Sequence, residues 1–277
     1  MTQFAFWGVV LACVLCTGCG TNSVTDGTGN GQSGLAIAVV GGDEGVTIAE
    51  DADGNARFLG EIKNSGTATG CFINVVIDAL DADGNPLASG SSSAFDFLFG
   101  ESFQFAQFFG FGAVTYHHCL SAGATGSFDL QTTIPIANVA SVVAHPSCQG
   151  DEAAACLPQD GGAYFRPLPL LSLNGAITET TDASGHRMYT GTIINNRPLN
   201  EVSSKATDIR IVFTAKNASG RVVDVACLDR DGKTCFPMSF SSTAMGPQET
   251  WDFAVSLSIE PSQTCSACFS YQLNYAT

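Results

Sequence analysis

The sequence predicts an all-β protein made of two tandem antiparallel β-sandwich modules, and three observations lead there. Only 13% of the 277 residues are charged, about half the usual quarter, while Gly numbers 30 and Phe 19. Long amphipathic helices need more charge than that. Short segments of alternating apolar residues are separated by turns rich in Asp, Asn and Gly, the pattern of half-buried strands. Finally, residues 46–64 return 131 positions later as 177–195. Thr47, Asp51, Ala52, Gly54, Gly60, Ile62 and Asn64 reappear as Thr178, Asp182, Ala183, Gly185, Gly191, Ile193 and Asn195, and Phe58 is answered by Tyr189. Seven identities in nineteen positions exceed the roughly one expected by chance, so the chain reads as two copies of one module of about 110 residues, each long enough to bury a core.

The N-terminus is a targeting segment. Phe4 to Cys16 is an uncharged apolar run of about thirteen residues, the length of a signal-peptide core and too short to cross a hydrocarbon layer of roughly 30 Å as a helix. Leu15-Cys16-Thr17-Gly18-Cys19 follows, and here the sequence resembles a bacterial lipoprotein signal. The resemblance implies loss of residues 1–18, and diacylglycerol and palmitate-type chains on Cys19. With Gly20 rather than Asp behind the cysteine, it also implies passage to the outer membrane or cell surface. Two acyl chains satisfy the need for two signals in stable anchoring. Residues 19–34 are mostly Gly, Ser, Thr and Asn, too polar to order themselves, and predict a flexible tether of about 20 Å.

The formal charge is −15. That excess argues against nucleic acid or anionic lipid headgroups as direct partners. It leaves cations open as partners, though a solvated acidic surface accounts for it. Contact with a membrane is expected through the lipid anchor, and an envelope protein is a further candidate partner.

Module one is expected over 35–147, a linker over 148–169 and module two over 170–277. In module one, Val46 to Glu50, a turn at Asp51-Ala52-Asp53-Gly54 and Phe58 to Asn64 form a hairpin, and the second copy turns at Asp182-Ala183-Ser184-Gly185. The next strand repeats at an offset of 136. Ile73, Val75, Ile77 and Ala79 share one side, as do Ile209, Ile211, Phe213 and Ala215, whereas the other parity carries Asn74 and Asp78 or Arg210, Thr214 and Lys216. The shared parity assigns the first set to the core. Turns at Asp81-Ala82-Asp83-Gly84 and Asn217-Ala218-Ser219-Gly220 end these strands. A last strand aligns at an offset of 123, matching Phe128, Leu130 and Ile134 with Trp251, Phe253 and Leu257, and Gly123 with Gly246.

The Gly-x-Ile-x-Asn strand, Ala79-Leu80-Asp81-Ala82-Asp83-Gly84, and Gly123 before an apolar strand resemble the FxLYD-type immunoglobulin-like domains of bacterial exported proteins. The resemblance covers most of both modules and implies tandem immunoglobulin-like sandwiches that are non-enzymatic as a rule. It brings no functional residues with it.

Between Gly84 and Gly123 copy one carries a longer, Phe-rich insert with Phe95, Phe97, Phe99, Phe103, Phe105, Phe108, Phe109 and Phe111. Seven of the eight occupy odd positions and would share one face of an extended chain. Two readings stay open: these side chains fill the core of module one, or an inserted hairpin presents them as an apolar binding patch for a partner, a lipid surface or an apolar ligand.

Cys13 and Cys16 leave with the signal and Cys19 takes lipid. Cys71, Cys119, Cys148, Cys156, Cys227, Cys235, Cys265 and Cys268 remain, an even number suited to four disulfides in an oxidising compartment. Cys148 with Cys156 and Cys227 with Cys235 share one interval and can close local loops. Cys71 with Cys119 would then join two parts of module one. Cys265-Ser266-Ala267-Cys268 has the spacing of thiol oxidoreductases, but no helical pattern follows to depress a thiolate pKa, so a local structural disulfide is expected.

Asp51 with Asp53, and Asp81 with Asp83, place two carboxylates before a Gly as calcium loops do, without the distal Glu of a full twelve-residue loop. Turn chemistry alone accounts for them. His117, His118 and His145 lack a further ligand at zinc spacing. No Gly-x-Ser-x-Gly elbow, phosphate loop or nucleotide fingerprint occurs, and no cofactor is expected. The expectation is therefore a non-enzymatic, lipid-anchored binding or structural protein of the envelope. The alternatives are a calcium-stabilised adhesion or ligand-binding lipoprotein and an exported thiol oxidoreductase.

Overall fold

The computed structural model describes residues 24–25, 34–71, 73–87, 98–99, 101–105, 114–148, 164–165, 170–200, 205–235 and 243–276, with the backbone alone at 24–25, 98–99, 101–105, 114–118, 147–148, 164–165 and 276. The protein is all-β, with eighteen strands among the described residues and every pairing antiparallel.

Module one contains β1 (Val24–Thr25), β2 (Ala36–Val39), β3 (Thr47–Glu50), β4 (Asn55–Asn64), β5 (Ile73–Leu80), β6 (Leu98–Phe99), β7 (Glu101–Phe105), β8 (Val114–Cys119), β9 (Thr125–Pro135) and β10 (Ser141–Cys148). One sheet runs β1-β2-β4-β9-β6 with β3 also beside β4, and β5 pairs with β10 in the facing sheet. Alternate residues of β4, β5 and β9 point between the sheets: Ala56, Phe58, Ile62, Ile73, Val75, Ile77, Ala79, Phe128 and Leu130 form one buried cluster.

β11 (Tyr164–Phe165) precedes the strands of module two: β12 (Leu171–Leu173), β13 (Thr178–Thr181), β14 (Arg187–Asn195), β15 (Thr207–Lys216), β16 (Val222–Asp229), β17 (Thr250–Ser256) and β18 (Phe269–Ala276). The sheet of β12, β13, β14 and β17 faces the sheet β16-β15-β18. Between them Tyr189 stacks on Phe213 with ring centroids 4.8 Å apart, and Phe253 and Phe269 pack around the pair.

The duplication is visible in buried polar detail. Asn64 and Asn195, both fully buried, end β4 and β14. The Asn64 amide donates to the Leu120 carbonyl at 3.0 Å and the Asn195 amide to the Met245 carbonyl at 3.0 Å. Each adds a side-chain donor to a carbonyl that also accepts a backbone N–H, from Gly70 at Leu120 and from Ala206 at Met245, so the Asn amide ties the end of its strand to a neighbouring segment in both copies. Gly60 lies opposite Phe128 and Gly191 opposite Phe253, and each ring covers its glycine so closely that a Cβ would collide with it. The turns repeat as well. Asp51, Asp81, Asp182 and Asn217 each accept the N–H groups two and four residues on, at 2.8–3.0 Å.

The structure corrects the sequence alignment at one strand. Gly60↔Phe128 and Gly191↔Phe253 make Phe128 the counterpart of Phe253, and Leu130 that of Val255, an offset of 125 rather than 123. The turn before the strand explains the slip. Gly123 donates its N–H to Asn64 with φ 79°, and the residue doing the same to Asn195 is Gln248, with φ 60°. A non-glycine residue occupies the left-handed position, so matching glycine to glycine selects Gly246, two residues early.

The tether and linker also contain strands. Val24 pairs with Ile37, and within 148–169 Tyr164 and Phe165 pair with Phe105 and Gln104. The Phe-rich insert supplies β6 to the edge of β9 and the hairpin β7–β8, with β7 lying against β18 of module two. Phe99, Phe103 and Phe105 are on these strands; Phe95, Phe97, Phe108, Phe109 and Phe111 lie outside the described residues, and so does the choice between core and binding patch.

Candidate functional site at the module seam

Side chains alternate along a strand, so a residue of β4 that does not face its own core faces outward. In β4 that outward row is Arg57, Leu59 and Glu61; on β15 it is Arg210, Val212, Thr214 and Lys216. These rows meet. The outer face of the β4–β9 sheet packs on the outer face of the β15–β16–β18 sheet, forming a third buried cluster of Leu59, Val212, Val222, Val225 and Cys227, with Ala49 and Cys235 at its margin. Leu59 is wholly buried although it lies outside the core of its own module. Covering such a side chain stabilises the docked pair by about 2 kcal/mol.

Polar groups ring the cluster. Arg57 is oriented by its own module: Nε and Nη2 donate to the two Asp129 oxygens at 2.8 and 2.6 Å, a fork that only guanidinium offers. Its Nη1 lies 2.8 Å from Asp224 Oδ1, and Nη2 also donates to the Val225 carbonyl at 2.9 Å, both across the seam. Lys216 Nζ meets Glu61 Oε1 at 2.8 Å, Ser127 and Thr214 share a hydrogen bond of 2.5 Å, and Gln272 Nε2 donates to the Thr125 carbonyl at 3.0 Å. At one margin Thr47 donates to the Val222 carbonyl and Arg221 to the Val46 carbonyl.

Asp224 is the most deeply buried carboxylate of this ring. Burial raises its pKa above the ordinary carboxylate value; Arg57 and the N–H groups of Ser258 and Val225 pull it down without reversing the shift, and Asp129 adds to it. Burial likewise opposes the charge on Arg57, but Asp129 and Asp224 outweigh it and the guanidinium stays protonated. At the far end of the row Arg210 is buried, which lowers its pKa to about 10 against the pull of Asp208. Arg57, bridging two carboxylates, is a mechanical lock between modules.

The acidic turns weighed as calcium candidates are Asx turns. Asp51 Oδ1 and Asp81 Oδ1 are each engaged by two backbone N–H groups, and the bonds from Asn55 and Asn85 lead in lowering their pKa values. Asp53 and Asp83 point from the exposed turn tips. Among the described residues no three His, Cys, Asp or Glu side chains converge as metal ligands.

Three of the expected cysteine pairs are disulfide-bonded: Cys71–Cys119, Cys227–Cys235 and Cys265–Cys268. Cys148 closes β10, and its side chain, Cys156 and Cys19 lie outside the description. Sequence reasoning missed Arg57, Leu59, Glu61, Asp129 and Asp224. The available signal was one apolar residue in each outward row, Leu59 between Arg57 and Glu61, and Val212 between Arg210 and Thr214. No known family model and no curated protein matches the chain.

Proposed function

We infer that the protein is a non-enzymatic, exported envelope protein, held at the outer membrane or cell surface by lipid on Cys19, in which two immunoglobulin-like sandwiches act as one rigid binding or structural body. The observation that supports this reading is the seam. Its charged groups are spent on one another, with Arg57 between Asp129 and Asp224 and Lys216 on Glu61, so the charges fix one module against the other. The disulfides fit an oxidising compartment. The Phe-rich insert is the proposed contact for an envelope partner.

The experiment is intact-mass analysis of the protein extracted from its own membranes, beside a Cys19→Ser variant. The expected result is a mass of residues 19–277 plus lipid, and release of the variant into the soluble fraction. A lipid-free mass for the parent protein would overturn the anchor. Enzymatic turnover of any added substrate that disappears on changing a single side chain would overturn the non-catalytic reading.

A further inference from the structure

The three described disulfides differ in access. Cys71 and Cys119 are wholly buried, and Cys227 is buried in the apolar cluster of the seam, with Cys235 partly covered at its margin. Cys265 and Cys268 are only partly covered, and the two residues between them, Ser266 and Ala267, are exposed. Thiol–disulfide exchange requires a thiolate to reach one sulfur and the other to leave. Of the three described bridges this one has both cysteines partly exposed, whereas Cys227–Cys235 has one and Cys71–Cys119 none, so access ranks it first. It also closes the shortest of the three loops, with a sequence separation of 3 against 8 and 48, and constrains the unfolded chain least.

What the bridge holds is specific. Within the loop the Cys268 N–H donates to the Cys265 carbonyl at 3.2 Å, and Ala267 adopts φ 60°. The loop then grips the backbone of one residue, Lys216. The Lys216 N–H donates to the Cys268 carbonyl at 2.8 Å, and Cys265 Sγ rests 3.8 Å from the Lys216 carbonyl. Lys216 needs this support because β15 and β16 lose register between Ala215 and Lys216. Its side chain crosses the seam to Glu61. The disulfide, Lys216 and module one are therefore in series.

We propose that Cys265–Cys268 is a redox clasp, the exchange site at which an exported dithiol acts on this protein, and that opening it loosens the Lys216–Glu61 link of the seam. One thiolate of the dithiol attacks a sulfur of the bridge, the S–S bond breaks and the other cysteine leaves as thiolate. The second thiol of the dithiol then displaces the mixed disulfide. Two electrons pass to Cys265 and Cys268, which end as two thiols, and the dithiol ends as a disulfide. The protein is the substrate of this exchange. The element before the loop is a three-residue 3-10 turn, Pro261–Gln263, which is no helix N-terminus to activate a thiolate.

The test is to equilibrate the full chain in dithiothreitol buffers of graded potential, trap thiols by alkylation, map them by peptide mass spectrometry, and follow amide exchange on the same samples. Cys265 and Cys268 should label before Cys71, Cys119, Cys227 and Cys235. The Lys216 amide should then exchange at least about tenfold faster while the β5 amides keep their protection. A Cys265→Ser/Cys268→Ser variant should reproduce the Lys216 result without reductant. In a cycle of Glu61→Gln and Lys216→Met, the coupling in the unfolding equilibrium should fall by about threefold or more in that variant. Earlier labelling of Cys227 and Cys235, an unchanged Lys216 amide after selective opening, or undiminished coupling would each overturn the clasp.

Discussion

The hairpin sheets of the two modules share their inner faces and part company on their outer ones. Phe58, Gly60 and Ile62 inside β4 correspond to Tyr189, Gly191 and Ile193 inside β14. Outside, Arg57, Leu59 and Glu61 of module one are matched by Met188, Thr190 and Thr192 of module two, and Asp129 by Ala254. The first set is buried or nearly so by the neighbouring module, while Met188, Thr190 and Thr192 are half-exposed. The partner sheets diverge the other way: Val212 and Thr214 are buried in the seam and Arg210 is buried at the end of their row, whereas their counterparts Val76, Asp78 and Asn74 on β5 are half-exposed. Across these paired sheets the duplicated fold keeps apolar character on the faces that make each sandwich and changes the faces that decide which sandwich meets which.

That contrast can be broken by substitution. The largest effect is expected for Arg57→Ala, which leaves Asp129 and Asp224 facing one another without their shared cation; a loss of about 3–5 kcal/mol in urea unfolding is expected, against about 1 kcal/mol or less for Met188→Ala. Equal losses at the two positions would mean that the seam adds nothing. Leu59→Ala comes next, with about 2–4 kcal/mol from the cavity between modules, while Thr190→Ala should stay within about 0.5 kcal/mol by the same assay.

Gly60→Ala and Gly191→Ala probe what the modules share. Both should cost about 1–3 kcal/mol as the Phe128 and Phe253 rings are pushed aside, Gly60 the more because its ring lies closer. Thermal melting of the two variants side by side measures the difference.

The smallest effect concerns pH. A buried carboxylate with a raised pKa binds its proton more readily in the folded state, so its destabilising share is absent below the ordinary carboxylate range and present in full above the raised value. On the Asp224 account alone, stability should rise as pH falls from neutral toward that range. Asp224→Asn should flatten this slope in urea midpoints measured across it, and an unchanged slope would place the titration elsewhere.

The fold was legible in the sequence wherever its causes are local. An Asx turn needs an Asp or Asn and a Gly within a few residues, so the turns at 51–54, 81–84, 182–185 and 217–220 could be placed directly. Inner parity was readable too, since Ile73, Val75 and Ile77 repeat as Ile209, Ile211 and Phe213. What hid was non-local. A row reading Arg-x-Leu-x-Glu looks like a solvated face until a second sheet covers it, and Asp224 is more than 160 positions from Arg57 in the chain. Gln248 in a left-handed conformation misdirected the last strand, because only backbone geometry shows that it does the work of Gly123. β11 was missed for a related reason, since its partner β7 lies in the insert of the other module.

The seam joins the β4–β9 face of one module to the β15–β16–β18 face of the next, two different surfaces. Head-to-tail contacts of this kind have no built-in end, and identical modules could add to one another indefinitely as a fibre. The two remaining outward rows lack the groups of the seam: β14 carries Met188 and two threonines in place of Arg57, Leu59 and Glu61, and β5 carries Asp78 in place of Thr214. Divergence of the outward rows has removed from those two faces the groups by which such a contact could repeat.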